Sequence, residues 1–293
     1  MRSSTSTSAG SVDKPILTNA PRPARGVNAA IGGIAGLASG LLGVGGGFVM
    51  APLQAIWTHT EQHRITGTSL AAVMPISLVG AVVYYIGRGR PQVDLPVAFF
   101  LVLGSAGGAY AGARAAPRVS ENGLKMLLAV LLAVVGVMEL YGGVLGTMAT
   151  LHLSGGGPDA VRYVLIALTG LVIGVLSGLT GVGGGIFMVP AMVLGFGIGQ
   201  RVAQGTSLLA VLPTAAIGAA THYRLGNVDV RSAGWIASAG VPAAIVGAVL
   251  AQVLPERLLA TLVGLFLLAA AVRVWPRRKE PPISRRDDVR WPI

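Results

Sequence analysis

The chain has 293 residues, 53% hydrophobic and 11% charged, a composition that no single soluble core of this length can hide, so lipid is its solvent. Its formal charge of +11 would suit nucleic acid, but Lys and Arg sit in tails and in loops between apolar runs with few aromatics nearby, which fits a membrane surface and argues against a nucleic-acid partner. The absence of cysteine excludes disulfides, thiolate chemistry and Cys-based zinc or iron–sulfur centres.

Residues 1–26 are rich in Ser, Thr, Pro and Ala without an apolar h-region, and read as a disordered tail and not a cleaved signal peptide. Apolar runs of membrane length follow at 27–57, 67–87, 95–113 and 124–149. After a polar stretch at 152–162 come further runs at 163–198, 203–223, 232–254 and 258–275. Residues 276–293 form a second tail with a basic cluster at Arg277, Arg278 and Lys279. Basic flanks at both ends predict cytoplasmic termini for a multi-pass protein of the bacterial inner-membrane type. The expected fold is an all-α polytopic membrane protein, with one membrane repeat at 27–151 and another at 163–275.

The division into repeats rests on an internal duplication. Residues 36–53 (GLASGLLGVGGGFVMAPL) and 174–191 (GVLSGLTGVGGGIFMVPA) share 11 of 18 positions at an offset of 138. The same offset aligns GTSLAAVMP at 67–75 with GTSLLAVLP at 205–213, 7 of 9 identical. At an offset of 135, Val93-Asp94 meets Val228-Asp229. Each copy has about four hydrophobic segments, and the first is too long for an ordinary span and is interrupted by Gly-Val-Gly-Gly-Gly and then Pro52 or Pro190. Such a segment is expected to break or re-enter, because glycine weakens a helix and proline removes a donor. Non-helical backbone at membrane depth needs protein or a watery cavity around it, which places both motifs inside the bundle. Whether the copies are parallel or inverted is not decided by loop charge, which is nearly even in both topologies.

Two readings compete for the glycine loops. Glycines at small-xxx-small spacing, such as Gly32, Gly36 and Gly40 or Gly170, Gly174 and Gly178, serve tight helix packing. In Gly45, Gly46 and Gly47, and in Gly183, Gly184 and Gly185, a broken helix also exposes amides that can hold an anion. Thr68 and Ser69, with Thr206 and Ser207, read either as helix caps or as hydroxyl donors to that anion. Gln62 and Gln200 read as loop residues before the helices. Glu139, in an apolar stretch, is a proton-carrier candidate or a snorkelling residue near a helix end; His222 is a second candidate for proton coupling or a structural histidine. The four histidines are scattered and suggest no metal site, and no nucleophile, base and metal set converges, so an enzyme is not expected.

The duplicated G-x-x-S-G-x-x-G-V-G-G-G-x-x-M-x-P block, at Gly36 to Pro52 and Gly174 to Pro190 and followed in each copy by G-T-S-L, resembles the TauE/SafE sulfite exporter family, also called the toluene-sulfonate uptake permease family. The resemblance covers about residues 27–275. It implies an integral-membrane carrier, a probable exporter in the family's naming, for a small anionic substrate such as sulfite, a sulfonate or a related organosulfur compound, with no cofactor. The alternative is an anion channel or a non-transporting membrane scaffold built on the same glycine packing.

Overall fold

The computed structural model describes residues 25–58, 62–115, 121–145, 159–180 and 184–275. Within them the chain is helical throughout: α1 (Arg25–Leu42), α2 (Gly47–Thr58), α3 (Gln62–Ile86), α4 (Leu95–Ala115), α5 (Glu121–Leu145), α6 (Asp159–Thr180), α7 (Gly185–Pro190), α8 (Gln200–Arg224), α9 (Val230–Val253) and α10 (Glu256–Val274). Helix α7 runs on through a π-helical stretch at Ala191–Gly195. Among the described residues, 7 helices are long and apolar enough to cross a membrane, which makes this a multi-pass membrane protein. The expected segments are recovered with shifted ends. Gln62 and Gln200, expected in loops, are the first residues of α3 and α8, and α6 starts at Asp159, inside the expected polar stretch.

Glycine sets the closest packing. Helices α1 and α9 run parallel with backbones touching, since a Cβ on Gly32, Gly36 or Gly40 would strike the carbonyl of Ile236, Gly240 or Ala244. The register holds one turn earlier, where Asn28 Nδ2 donates to Ser232 Oγ at 3.1 Å. Helices α4 and α6 repeat the arrangement, with Gly104, Gly108 and Gly112 against the carbonyls of Ala167, Leu171 and Val175. Each tight pair therefore joins a helix of one copy to a helix of the other. Lipid tails offer no hydrophobic drive for helices to associate, so close van der Waals contact over small residues has to supply it.

The other pairings are between equivalent helices. Gly80 of α3 packs on Leu208 of α8, and Gly218 of α8 on Leu70 of α3, which runs these two helices antiparallel. Gly136 and Gly143 of α5 meet Gly264 and Thr261 of α10 in the same antiparallel sense. Because helices equivalent in sequence run in opposite directions, the axis relating the copies lies across the helices. Large buried side chains, among them Ile31, Met50, Ile76 and Met188, form one core with parts of α1, α2, α3 and α7, and Leu208 of α8 belongs to a second, smaller cluster with Tyr84 and Val93.

Candidate functional site

The first GVGGG motif forms the break between α1 and α2. Gly43, Gly45 and Gly46 adopt φ of 72°, 78° and 73°, a left-handed backbone that side chains with a Cβ resist. The amide of Gly43 still donates to the Ser39 carbonyl at 2.9 Å, and the Gly46 carbonyl accepts from Val49 and Met50 at 3.1 and 2.9 Å, which starts α2. Between them the amides of Val44, Gly45 and Gly46 have no acceptor among the described residues, although residues 43–46 are buried. A sharp turn brings Gly46 beside Ala35 and Ser39, so the chain folds back on α1.

Helix α8 lies along this loop. Gly43 abuts Gln204 and Gly45 abuts Val211, and Ser207 falls on the same helical stripe between those two residues. Ser207 is 0% exposed and its hydroxyl has no partner. On α3, Val73 touches Gly47, and Ser69, one turn earlier, is likewise buried with an unpartnered hydroxyl. Ser39, beside Gly46, is a third such residue. The second motif meets the first where Gly185 packs on the Val44 carbonyl. Gly184 sits at φ −68°, unlike its counterpart Gly46, and Gly183 lies outside the described residues. Loop 43–46 thus carries unpaired amides, with the Ser39 hydroxyl beside Gly46 and those of Ser69 and Ser207 on the helices that flank it.

The two residues of each Thr-Ser pair do different work. Thr68 and Thr206 do not cap a helix, because α3 and α8 begin at Gln62 and Gln200, well over a turn earlier. Instead the Thr68 hydroxyl accepts the amide of Asp229 at 3.1 Å, and the Thr206 hydroxyl accepts the amide of Asp94 at 2.9 Å. Gly67 and Gly205 permit this approach, since a Cβ on either would strike the carbonyl of Asn227 or Gln92. Asp229 and Asp94 are themselves the helix caps. Asp229 Oδ1 accepts from the amides of Arg231 and Ser232, both at 3.1 Å, and Asp94 Oδ1 accepts from Val97, also at 3.1 Å. Burial alone would push the Asp229 carboxyl up, but the amide and hydroxyl of Ser232, the nearby Arg64 and the Arg231 amide together hold it below its usual range. Each Thr therefore ties one copy to the first turn of a helix in the other.

Glu139 is not part of this cluster. It lies on α5 between Gly136 and Gly143, on the face turned to α10, is 0% exposed, and neither carboxyl oxygen has a partner. It does not reach the surface, which removes the snorkelling reading. His222 is half-buried in the last turn of α8, its Cβ against Gly67. Sequence reasoning passed over Gln204 and Ser39. Ser39 carried a signal, being repeated as Ser177 within the duplicated block, whereas Gln204 faces Thr66 at the 138 offset and carried none.

Comparison with known proteins gives a consistent picture. The sulfite exporter TauE/SafE family model matches residues 4–138 and 166–293. A probable membrane transporter protein of Xylella fastidiosa (strain Temecula1) is 29% identical over 247 residues, covering 83% of this chain and 92% of that protein. The probable membrane transporter protein YunE of Bacillus subtilis is 28% identical over 217 residues, 68% of this chain and 78% of its own. YdhB of the same organism, also described as a probable membrane transporter protein, is 30% identical over 199 residues, 66% of this chain and 77% of its own. No solved structure matches.

Proposed function

The chain belongs to the sulfite exporter TauE/SafE family of membrane transporters, and from that premise we propose that it is a secondary carrier of a small anion such as sulfite or a sulfonate, working as an exporter in a cell membrane. The observation that carries this reading is the loop at 43–46, where buried amides and the hydroxyls of Ser39, Ser69 and Ser207 lack partners. Buried donors without acceptors are costly, and an anion is the ligand that satisfies several of them at once. Gly45, Gly46, Gly47 and Ser69 of one copy and Ser207 of the other form the core of the site, with Gly185 packed on the Val44 carbonyl and Gly184 next to it in the chain. Thr68 and Thr206 support it by holding the helices beside it.

The antiparallel pairing of equivalent helices supports inverted repeats, each with three crossing helices and a re-entrant hairpin, α1–α2 or α6–α7, so that α6, although long and apolar enough to cross, takes the place that α1 holds in the first copy. Both termini then share one side, and their basic flanks put that side in the cytoplasm. Phe48 of α2 packs edge-on to Phe266 of α10 at 5.9 Å, and an open apolar groove of about 460 Å³ lies between α5, α6 and α7. In this reading Glu139, buried without a partner, carries a coupling proton, and His222 at the end of α8 is a secondary proton site.

Flux into proteoliposomes is the test. Saturable sulfite or sulfonate flux that supports counter-transport and responds to a pH gradient is expected. Flux that rises linearly with concentration would make the protein a channel, and no flux of any tested anion would make it a scaffold.

A further inference from the structure

We propose that the two Gly-Thr seams are the gates of the carrier, one at each membrane face, and that the gate closed by Tyr84 is the tighter, so that the gate closed by His222 opens first. The inference rests on the reading of the chain as a carrier. The seams are built alike. At one, the loop after α8 folds over the start of α3. The Asn227 amide donates to the His222 carbonyl at 2.9 Å, the Asn227 carbonyl and the His222 Cβ lie where a Cβ on Gly67 would be, and the Asp229 amide donates to the Thr68 hydroxyl at 3.1 Å. At the other, the loop after α3 folds over the start of α8. The Gln92 amide donates to the Tyr84 carbonyl at 3.0 Å, the Gln92 carbonyl and the Tyr84 Cβ lie where a Cβ on Gly205 would be, and the Asp94 amide donates to the Thr206 hydroxyl at 2.9 Å. Tyr84 and His222 hold the same place in the two copies, at the offset of 138.

Because α3 and α8 run antiparallel, the seams lie at opposite ends of the bundle. The His222 seam is at the end where α1 and α9 begin, where the Arg25 guanidinium lies 5.4 Å from the centre of the Trp235 ring. Each seam sets a loop of one copy on a helix of the other, and a buried serine follows each clamp, Ser69 after Thr68 and Ser207 after Thr206. Where cargo lies between two inverted copies, access from one face requires the seam at that face to part while the other holds.

The residue that closes each seam differs. Tyr84 is 0% exposed, and its phenol oxygen lies 2.9 Å from both the Gly40 carbonyl oxygen and the side-chain amide of Gln204, so one ring fastens α3 to α1 and α8. Arg201 of α8 adds bonds from Nε and Nη2 to the carbonyls of Ala251 and Leu254 at 3.2 and 2.6 Å, and Gln252 Nε2 of α9 donates to the Val83 carbonyl of α3 at 3.1 Å. At the other end His222 is smaller and half-buried. The bond from Asn28 to Ser232 and the Arg25–Trp235 contact join α1 to α9 there without crossing from α3 to α8, and the exposed Arg64 attracts the Asp229 carboxyl where water screens the pair. Opening the His222 end therefore breaks fewer buried bonds, and with the termini in the cytoplasm that is the end from which an exporter loads.

The chain has no cysteine, so one introduced thiol reports access without background. Ser69→Cys and Ser207→Cys, each just inside its gate, are labelled in the full chain in sealed vesicles with a membrane-impermeant maleimide added to one face at a time. Without cargo, Ser69→Cys should react from the face of the termini faster than Ser207→Cys reacts from the opposite face. Adding Tyr84→Phe, which removes one oxygen and keeps the ring, should raise labelling of Ser207→Cys and lower that of Ser69→Cys, changing their ratio about fivefold, the population shift that one lost hydrogen bond commands. Gln252→Leu cuts the tie to Val83, should act in the same direction, and supplies the readout should Tyr84→Phe fail to fold. Labelling that rises at both positions, or changes at neither, means that the seams only hold the fold and overturns the proposal, as does faster labelling of Ser207→Cys than of Ser69→Cys in the otherwise unaltered chain. Saturable flux with labelling that is not reciprocal sinks the gates and leaves the carrier; flux that rises linearly with concentration sinks the carrier reading itself.

Discussion

Replacing Thr206 with Val keeps the branched shape of a residue that is 0% exposed and removes only the hydroxyl that accepts the Asp94 amide at 2.9 Å. The loss is that of a donor left unpaired, about 1–3 kcal/mol, and the half-exposed position of Asp94 favours the lower part of that range, about 1–2 kcal/mol. Thr68→Val should cost a similar amount through Asp229, whose bond is 3.1 Å. The two clamps share no partner, so the double variant should lose roughly the sum, about 2–4 kcal/mol. Reversible unfolding in mixed micelles reads this loss, and half-saturation for sulfite should stay near the parent value. Ser207→Ala predicts the opposite pattern. It removes a buried hydroxyl that has no protein partner, so stability should hold while half-saturation rises about tenfold, equivalent to roughly 1.4 kcal/mol. A Thr206→Val protein of parental stability whose half-saturation rises as far as that of Ser207→Ala would refute the separation of clamp from site.

Gly46→Ala should impair transport and expression more than Gly184→Ala, because Gly46 sits at φ 73° while Gly184 sits at φ −68°, and the left-handed backbone costs a Cβ residue about 1–2 kcal/mol; equal effects in a side-by-side flux assay would contradict this. Glu139→Gln keeps shape and removes the titratable proton of a fully buried carboxyl, so flux driven by a pH gradient should vanish while anion exchange persists; gradient-driven flux at the parent rate would exclude Glu139 from coupling. Asp229 is held below the usual carboxylate range, so its contribution to stability is present above about pH 4 and is lost as pH falls through the lowered value; unfolding followed from pH 6 to 3 should show this loss in the parent and a smaller one in Asp229→Asn.

Much of this was legible before any coordinates. Features with a purely local signature announced themselves: apolar runs of bilayer length, the Gly-Val-Gly-Gly-Gly break and the basic flanks each follow from one stretch of chain and its solvent. The Val93-Asp94 and Val228-Asp229 pair was visible too, as a weak match, and an Asp before an apolar run is what a helix cap looks like. The meaning of Gly-Thr-Ser was not. Gly67, Thr68 and Ser69 are neighbours in sequence, yet one admits the Asn227 carbonyl, the next binds the Asp229 amide and the third is a buried hydroxyl beside the Val73 stripe.

Local sequence determined that there are two copies of a broken helical unit, because helix propensity, backbone freedom and transfer to lipid act over a few consecutive residues. Only the tertiary structure decided how the copies meet. Running α3 against α8 and α5 against α10 in antiparallel, and setting Gly32, Gly36 and Gly40 on α9, depends on contacts between residues more than a hundred positions apart. The pairing of Tyr84 with Gln204 across 120 positions is of the same kind. A hydroxyl or an amide has the same identity in any sequence, and whether it is a clamp, a cap or an unspent donor is settled by which distant group the packing brings within hydrogen-bond reach.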